Sequence, residues 1–168
     1  PKYETFADFL SNTIIGKRKH TISEFFYRTQ HIQQLGGYQI YPAGYYADDA
    51  SILLFCNNNG IASTEESLIV YRKSENNISS SSCWNVEKSK AALKYYQWII
   101  DEFPMKQQDE QIIQQRLDFD LYTYFSAALN IHQSIQILNC IPVNIWNWKK
   151  KLLCLYKFIL NSYAKQIK

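Results

Sequence analysis

Apolar side chains recur every three to four residues along most of the chain, which is the period of an amphipathic helix. Glycine, proline and a short asparagine run interrupt this pattern and mark where helices end. Residues 131–139 either extend the helix predicted over residues 109–130 or form a separate short helix. The spacing predicts helices over residues 4–15, 29–35, 48–56, 86–103, 109–130 and 145–167.

Between these helices, three segments mix β-branched and aromatic residues and therefore predict strands. They are Thr21–Tyr27, Ile61–Thr64 and Ser67–Tyr71. A tyrosine-rich stretch, Tyr38–Tyr46, is broken by proline and glycine and predicts an ordered loop. The serine- and asparagine-rich stretch Lys73–Ser82 predicts a polar loop, either mobile or facing a ligand.

The predicted fold class is therefore α+β and predominantly helical, with a few short strands followed by a helical tail. A length of 168 residues suits one domain or a piece of a larger one. We expect two parts, residues 1–84 and 85–168, packed as one unit. The chain opens on Pro1 rather than on methionine, which predicts a fragment.

Charge, hydrophobic run length and cysteine spacing argue against nucleic-acid-binding, membrane-spanning and zinc-binding proteins. The net charge is only +3 and the basic residues are scattered, so no nucleic-acid partner is expected. No apolar run reaches the roughly 18 residues that a membrane-spanning helix needs. The four cysteines lack the C-x-x-C spacing of zinc sites. Cys56, Cys140 and Cys154 are expected to be reduced core thiols, which indicates a cytoplasmic protein.

The strongest candidate for chemistry is the acidic pair Asp48-Asp49 at a predicted loop-to-helix junction. Burying an unpaired charge is costly, so at least one of these carboxylates is expected to face a cleft. There it can act as a general base. The alternative is that Asp48 or Asp49 simply caps the helix. Spacing alone leaves both interpretations open.

Four motifs occur in one order around this pair, and together they resemble the C-terminal half of a family 2 glycosyltransferase from bacterial polysaccharide gene clusters. The resemblance covers the chain from about Thr5 to Trp98. The motifs are Ser23–Arg28, Gly36-Gly37-Tyr38, Tyr41–Ala50 and Val70–Ser79.

The resemblance implies a GT-A fold and inverting transfer of a sugar from a nucleotide-sugar donor to a glycan or lipid-linked acceptor. It implies that Asp49 is the base and that Asp48 orients the acceptor or the base. Arg72 would meet the donor diphosphate, although an ordinary surface arginine is the alternative. Many relatives carry a histidine where this chain has Ser74, so no metal or phosphate contact is assigned there. Tyr45 and Tyr46 would stack on a sugar or serve as packing residues.

The resemblance also implies a divalent metal, Mg²⁺ or Mn²⁺, in the full-length enzyme. The Asp-x-Asp motif that would hold it belongs to a nucleotide-binding half that this chain does not include, so no metal is expected in this fragment. Asp118-Phe119-Asp120 has the same spacing, but it lies in a helical pattern, where side chains two residues apart diverge. We therefore expect the isolated fragment to be inactive.

The C-terminal helix and the missing half suggest two further partners. Lys149-Lys150-Lys151 with Trp146 and Trp148 indicates either a membrane-surface helix, at the inner face of the membrane, or a helix whose apolar face packs on the protein. The surface that the missing half would cover predicts self-association. The competing function is a non-catalytic helical binding or self-association module, with Asp48 and Asp49 as helix caps.

Overall fold

The computed structural model describes residues 2–18, 21–57, 59–64 and 80–166, with only the backbone for 161–166. Two short strands, β1 (Lys2–Glu4) and β2 (Ile61–Ser63), form an antiparallel pair. The predicted class, predominantly helical α+β, is confirmed. The described helices are α1 (Phe6–Ile14), α2 (Thr29–Gln34), α3 (Ala47–Cys56), α4 (Asn85–Glu102), α5 (Gln107–Ser126), α6 (Ile131–Cys140) and α7 (Trp148–Gln166).

Local sequence signals explain how the chain enters and leaves α1. The Thr5 hydroxyl accepts a hydrogen bond from the Asp8 backbone N–H at 3.2 Å, which caps the start of the helix. Gly16 ends it with a φ of +75°. Gly60 leads into β2 with a φ of +68°, and a Cβ there would lie 2.4 Å from the carbonyl oxygen of Glu4. Glycine is therefore required beside the β1–β2 pair.

The long helices build the core of the C-terminal part. Helix α4 runs antiparallel to α5, because Asn85 near its start bonds the Tyr124 carbonyl and Tyr96 near its end bonds Asp120. Helix α7 packs on α5 through the rings of Phe158 and Phe125, whose centroids lie 6.0 Å apart. Side chains from five helices and the turn before α7 are fully buried: Phe9, Ile52, Ile99, Ile113, Leu121, Ile137 and Trp146.

The strand predicted over Thr21–Tyr27 is wrong. Ile22–Glu24 form a 3₁₀ turn, and the residues that follow are irregular. The Thr21 hydroxyl bonds the side chains of Ser23 and Glu24, and such local bonds compete with strand pairing. The aromatic residues of this segment still contribute to packing, because the Phe25 and Tyr27 rings stack on each other at 6.0 Å while Phe26 between them is exposed. The pattern marks packing against α1 and α3 rather than a sheet.

The helix boundaries resolve the alternative left open by the sequence. Helix α5 ends at Ser126, and α6 starts afresh because the Asn130 side chain accepts the Gln133 N–H at 2.9 Å. The turn after Pro142 delays α7 to Trp148, since two backbone N–H groups bond the Pro142 carbonyl. The strand predicted over Ser67–Tyr71 and most of the following loop lie outside the described residues.

Two of the three cysteines expected in the core are buried. Cys56 and Cys154 are buried free thiols, as predicted, and Cys140 is half-buried. Burial raises the pKa of Cys56 to about 12, so its thiol stays protonated at neutral pH. Within the described residues, each helix is too short or too polar to cross a membrane.

Candidate functional site

The acidic pair lies in the first turn of α3. Asp48 and Asp49 are both half-buried there. The backbone N–H groups of a first turn have no acceptor within their own helix. The helix dipole favours negative charge at this end. One Asp48 carboxylate oxygen accepts the N–H of Asp49 at 3.0 Å. Asp48 therefore satisfies one of these donors, although the N-cap residue itself is Tyr46.

The loop that delivers the pair is strained. Tyr46 has a left-handed backbone, with φ 64° and ψ 3°, and Ala43 three residues earlier has φ 52°. Each costs roughly 1–2 kcal/mol for a residue with a Cβ. Such outliers persist only where surrounding contacts compensate for them, and they concentrate at functional sites.

The side chain of Tyr46 supplies this compensation. Its hydroxyl donates to Asp120 at 2.8 Å and lies 3.0 Å from the Tyr124 hydroxyl. Its ring stacks on Tyr95, with centroids 4.7 Å apart and planes 13° from parallel. The Tyr96 hydroxyl donates to the same Asp120 oxygen at 2.6 Å. One carboxylate in α5 therefore joins α4 to Tyr46, two residues before the acidic pair.

Burial sets the protonation of this tyrosine cluster, which we define as Tyr46, Tyr95, Tyr96 and Tyr124. Burial is the main cause that raises the pKa of each hydroxyl above the ordinary value of 10. For Tyr95 the negative charge of Asp49 is the next cause. The hydroxyls are therefore protonated donors at neutral pH, and the Asp49 carboxylate lies near the cluster.

The two tyrosines predicted to contact a sugar have different environments. Tyr46 is a packing residue, enclosed by the contacts just described. Tyr45 is half-buried, with its ring edge-on to Tyr46 at 4.9 Å and the Lys88 ammonium 5.3 Å from its centroid. An aromatic ring with an accessible part can stack on a sugar, so this hypothesis stays with Tyr45.

The structure does not test the predicted donor-side arginine. Arg72 and Ser74 lie outside the described residues. Of the five site residues expected from the sequence, the structure therefore brings together four: Asp48, Asp49, Tyr45 and Tyr46.

The Asp-x-Asp spacing in α5 does not make a metal site. Asp120 accepts from the two tyrosine hydroxyls, whereas Asp118 accepts from the Trp146 indole N–H and the Lys150 ammonium. The two carboxylates thus diverge, as the helix geometry predicts. Among the described residues, no group of three or more His, Cys, Asp or Glu can hold a metal ion. Asp118 and Asp120 therefore do not form a site that fits Mg²⁺ or Mn²⁺.

A groove of about 980 Å³ opens at the other end of α3. Phe55 and Cys56 from the last turn of α3 line one side, and Phe25, Tyr27 and Arg28 line another. Its mixture of aromatic rings and polar groups differs from the tyrosine cluster, where the hydroxyls of Tyr46, Tyr96 and Tyr124 already have hydrogen-bond partners. The acidic pair does not line this groove.

The sequence did not predict the residues that hold Tyr46 in place beside the acidic pair. The sequence predicts only a helical Asp-x-Asp spacing for Asp120, and Tyr96 and Tyr124 simply fall within the predicted helices 86–103 and 109–130. A signal was present, because Tyr96 and Asp120 interrupt otherwise apolar helix faces with groups that need partners when buried. The pairing itself spans 74 residues between Tyr46 and Asp120, which spacing along the chain does not reveal.

Comparison with known proteins adds no further assignment. No family model, curated protein or solved structure matches this chain. The functional argument therefore depends on the motifs and on the geometry of the site.

Proposed function

We propose that this chain is the acceptor-side portion of a family 2-like glycosyltransferase in bacterial polysaccharide synthesis. The intact enzyme moves a sugar from a nucleotide-sugar donor to a glycan or lipid-linked acceptor, with inversion. The observation that carries the proposal is the acidic pair in the first turn of α3, held by the left-handed, Asp120-anchored Tyr46. Support also comes from the ordered motifs that surround the pair.

In this mechanism Asp49 is the general base. Its carboxylate takes the proton of the attacking acceptor hydroxyl while the oxygen bonds the anomeric carbon of the donor. The bond from that carbon to the diphosphate breaks, and its electron pair leaves with the nucleoside diphosphate. A positioned base contributes about 10²–10⁴-fold to such a step.

The remaining residues have supporting roles. Asp48 already accepts the Asp49 N–H, so it fixes the local backbone and orients the base or the acceptor. Tyr45 offers its ring to a sugar. Arg72 neutralises charge on the leaving diphosphate. A cytoplasmic location, expected from the reduced thiols, belongs to the same proposal.

A release assay tests the class of reaction. The protein encoded by the complete gene is incubated with a panel of nucleotide sugars and acceptors, and nucleoside diphosphate release is measured. We expect release with one donor, and none from the isolated 168-residue chain. Turnover by the isolated chain at enzymatic rates would contradict the proposal, as would a complete gene product that lacks a nucleotide-binding half.

A further inference from the structure

The outer side of α7 is an unpartnered apolar surface. The helix packs inward through Cys154 and Phe158, which contacts Phe125 of α5. Trp148 is 61% exposed and Tyr156 is 60% exposed, although both are large aromatic residues. Six apolar side chains with 38% to 61% exposure recur at helical spacing on this side: Trp148, Leu152, Leu153, Tyr156, Ile159 and Leu160. We call these six residues the α7 face.

The charged residues of the C-terminal part of the sequence are all of one sign. After Asp120 the sequence contains six lysines and no Asp, Glu or Arg, whereas the first 120 residues carry a net charge of −3. The modest overall charge of +3 therefore hides a strongly basic C-terminal end. Lys149 lies within the arc of the α7 face and Lys157 borders it; both are exposed.

The other two lysines of the basic triplet are used within the protein. Lys150 pairs with Asp118, and the Lys151 ammonium donates to the Ile141 carbonyl. Trp146 is fully buried and also bonds Asp118. Part of the triplet thus anchors α7 to the body of the protein, which leaves the α7 face directed outward.

An apolar helix face bordered by lysines suits one class of partner. Side chains such as Trp, Tyr and Leu insert at the boundary between lipid headgroups and acyl chains, while lysines attract anionic headgroups. A second copy is a poorer partner, because two such faces in a symmetric contact would bring lysines of the same sign together. We propose that the α7 face binds the surface of a bilayer containing anionic lipids, with α7 lying along the surface.

The inference does not rest on sugar transfer, and its test needs neither donor nor acceptor. The full chain is mixed with vesicles of phosphatidylcholine alone or of phosphatidylcholine with phosphatidylglycerol, and the bound fraction is measured by flotation. We expect binding to the anionic vesicles that weakens with salt, and little to the neutral ones. Brominated lipid should quench Trp148 fluorescence, and the Trp148→Phe variant identifies that signal among the four tryptophans.

Matched variants distinguish vesicle binding through the α7 face from nonspecific binding of the protein. Leu152→Gln and Leu160→Gln should each lower partitioning about tenfold, because each removes an apolar side chain that would enter the lipid. The exposed Ile40→Gln, outside α7, should leave it unchanged. All three positions are exposed, so folding should be retained, and circular dichroism checks this.

The lysines are tested with two double variants that remove the same net charge from different places. Lys149→Gln with Lys157→Gln should lower partitioning about 30-fold, at about 1 kcal/mol for each lysine near the surface. The control pair Lys17→Gln with Lys106→Gln removes the same charge from exposed positions elsewhere and should have a much smaller effect.

Several outcomes would overturn the proposal. Absence of binding to anionic vesicles is one, and equal losses from the two lysine pairs is another, since net charge would then explain the binding. A dimer in sedimentation that Leu152→Gln dissociates, without vesicle binding, would assign the face to a second copy. Vesicle binding that depends on the α7 face supports the proposal even if no sugar transfer is ever found.

Discussion

Removal of the Asp120 carboxylate is the sharpest perturbation of the candidate site. One of its oxygens accepts from Tyr46 at 2.8 Å and from Tyr96 at 2.6 Å, and Tyr46 holds the strained entry to α3. Asp120→Ala leaves two buried hydroxyls without this acceptor. Asp120→Asn keeps the shape and an acceptor oxygen but removes the charge.

The magnitude follows from those two bonds. A hydrogen bond to a charged group contributes about 1.5–3 kcal/mol, and the Tyr46 hydroxyl keeps its contact with Tyr124. We expect Asp120→Ala to lower the free energy of unfolding by about 2–4 kcal/mol. Asp120→Asn should cost about 1–2 kcal/mol, because it retains neutral hydrogen bonds.

Urea unfolding followed by circular dichroism measures the loss. Asp101→Ala is the control, because Asp101 is an exposed carboxylate on α4 that accepts a hydrogen bond from Gln97 one turn earlier. It should change the free energy of unfolding by less than about 0.5 kcal/mol. A double-mutant cycle with Tyr46→Phe should give a coupling of at least about 0.5 kcal/mol. If Asp120→Ala were as stable as the control, Asp120 would not anchor the loop.

Three further predictions concern stability and assembly. Because burial raises the pKa of Tyr46, Tyr95 and Tyr96 above 10, the unfolded chain releases these protons near pH 10 and the folded chain keeps them. Stability should therefore be retained below pH 10 and fall above it, by up to about 1.4 kcal/mol per pH unit for each tyrosine, and a free energy of unfolding that stays constant above pH 10 would contradict this. Gly60→Ala should destabilise the chain by about 1–3 kcal/mol more than Gly36→Ala, since both have positive φ but only Gly60 would place its Cβ 2.4 Å from a carbonyl oxygen; equal urea midpoints would contradict it. The predicted association between copies should appear in sedimentation as a mass that rises with concentration, and a monomer at all concentrations would refute it.

Local signals account for the parts of the fold that the sequence predicts well. The helices that include Phe9, Ile52 and Ile99 follow apolar periodicity, and caps such as Thr5 and Asn130 lie close to their partners in sequence. Thr21–Tyr27 misled the prediction because β-branched and aromatic residues, which favour strands, also pack inward from irregular backbone. A strand also needs a neighbour for its backbone groups, and residue type does not provide that information.

Local sequence likewise predicts one part of the candidate site but not the other. The place of Asp48 and Asp49 in the first turn of a helix follows from local sequence, as does the loop before it. The left-handed conformation of Tyr46 and its bond to Asp120 depend on the packing of the loop before α3 against α4 and α5. Two tyrosines that look equivalent in sequence, Tyr45 and Tyr46, therefore have different environments.

The rate of sugar transfer by the Asp49→Asn variant tests the central claim most directly. The variant is made in the protein encoded by the complete gene, and kcat and the donor KM are measured at saturating acceptor. Asp109→Asn is the matched control, because Asp109 also lies in the first turn of a helix. The account predicts a kcat lowered by about 10²–10⁴-fold for Asp49→Asn with the donor KM little changed, and no loss for the control. An Asp49→Asn enzyme with the parental kcat would contradict the account.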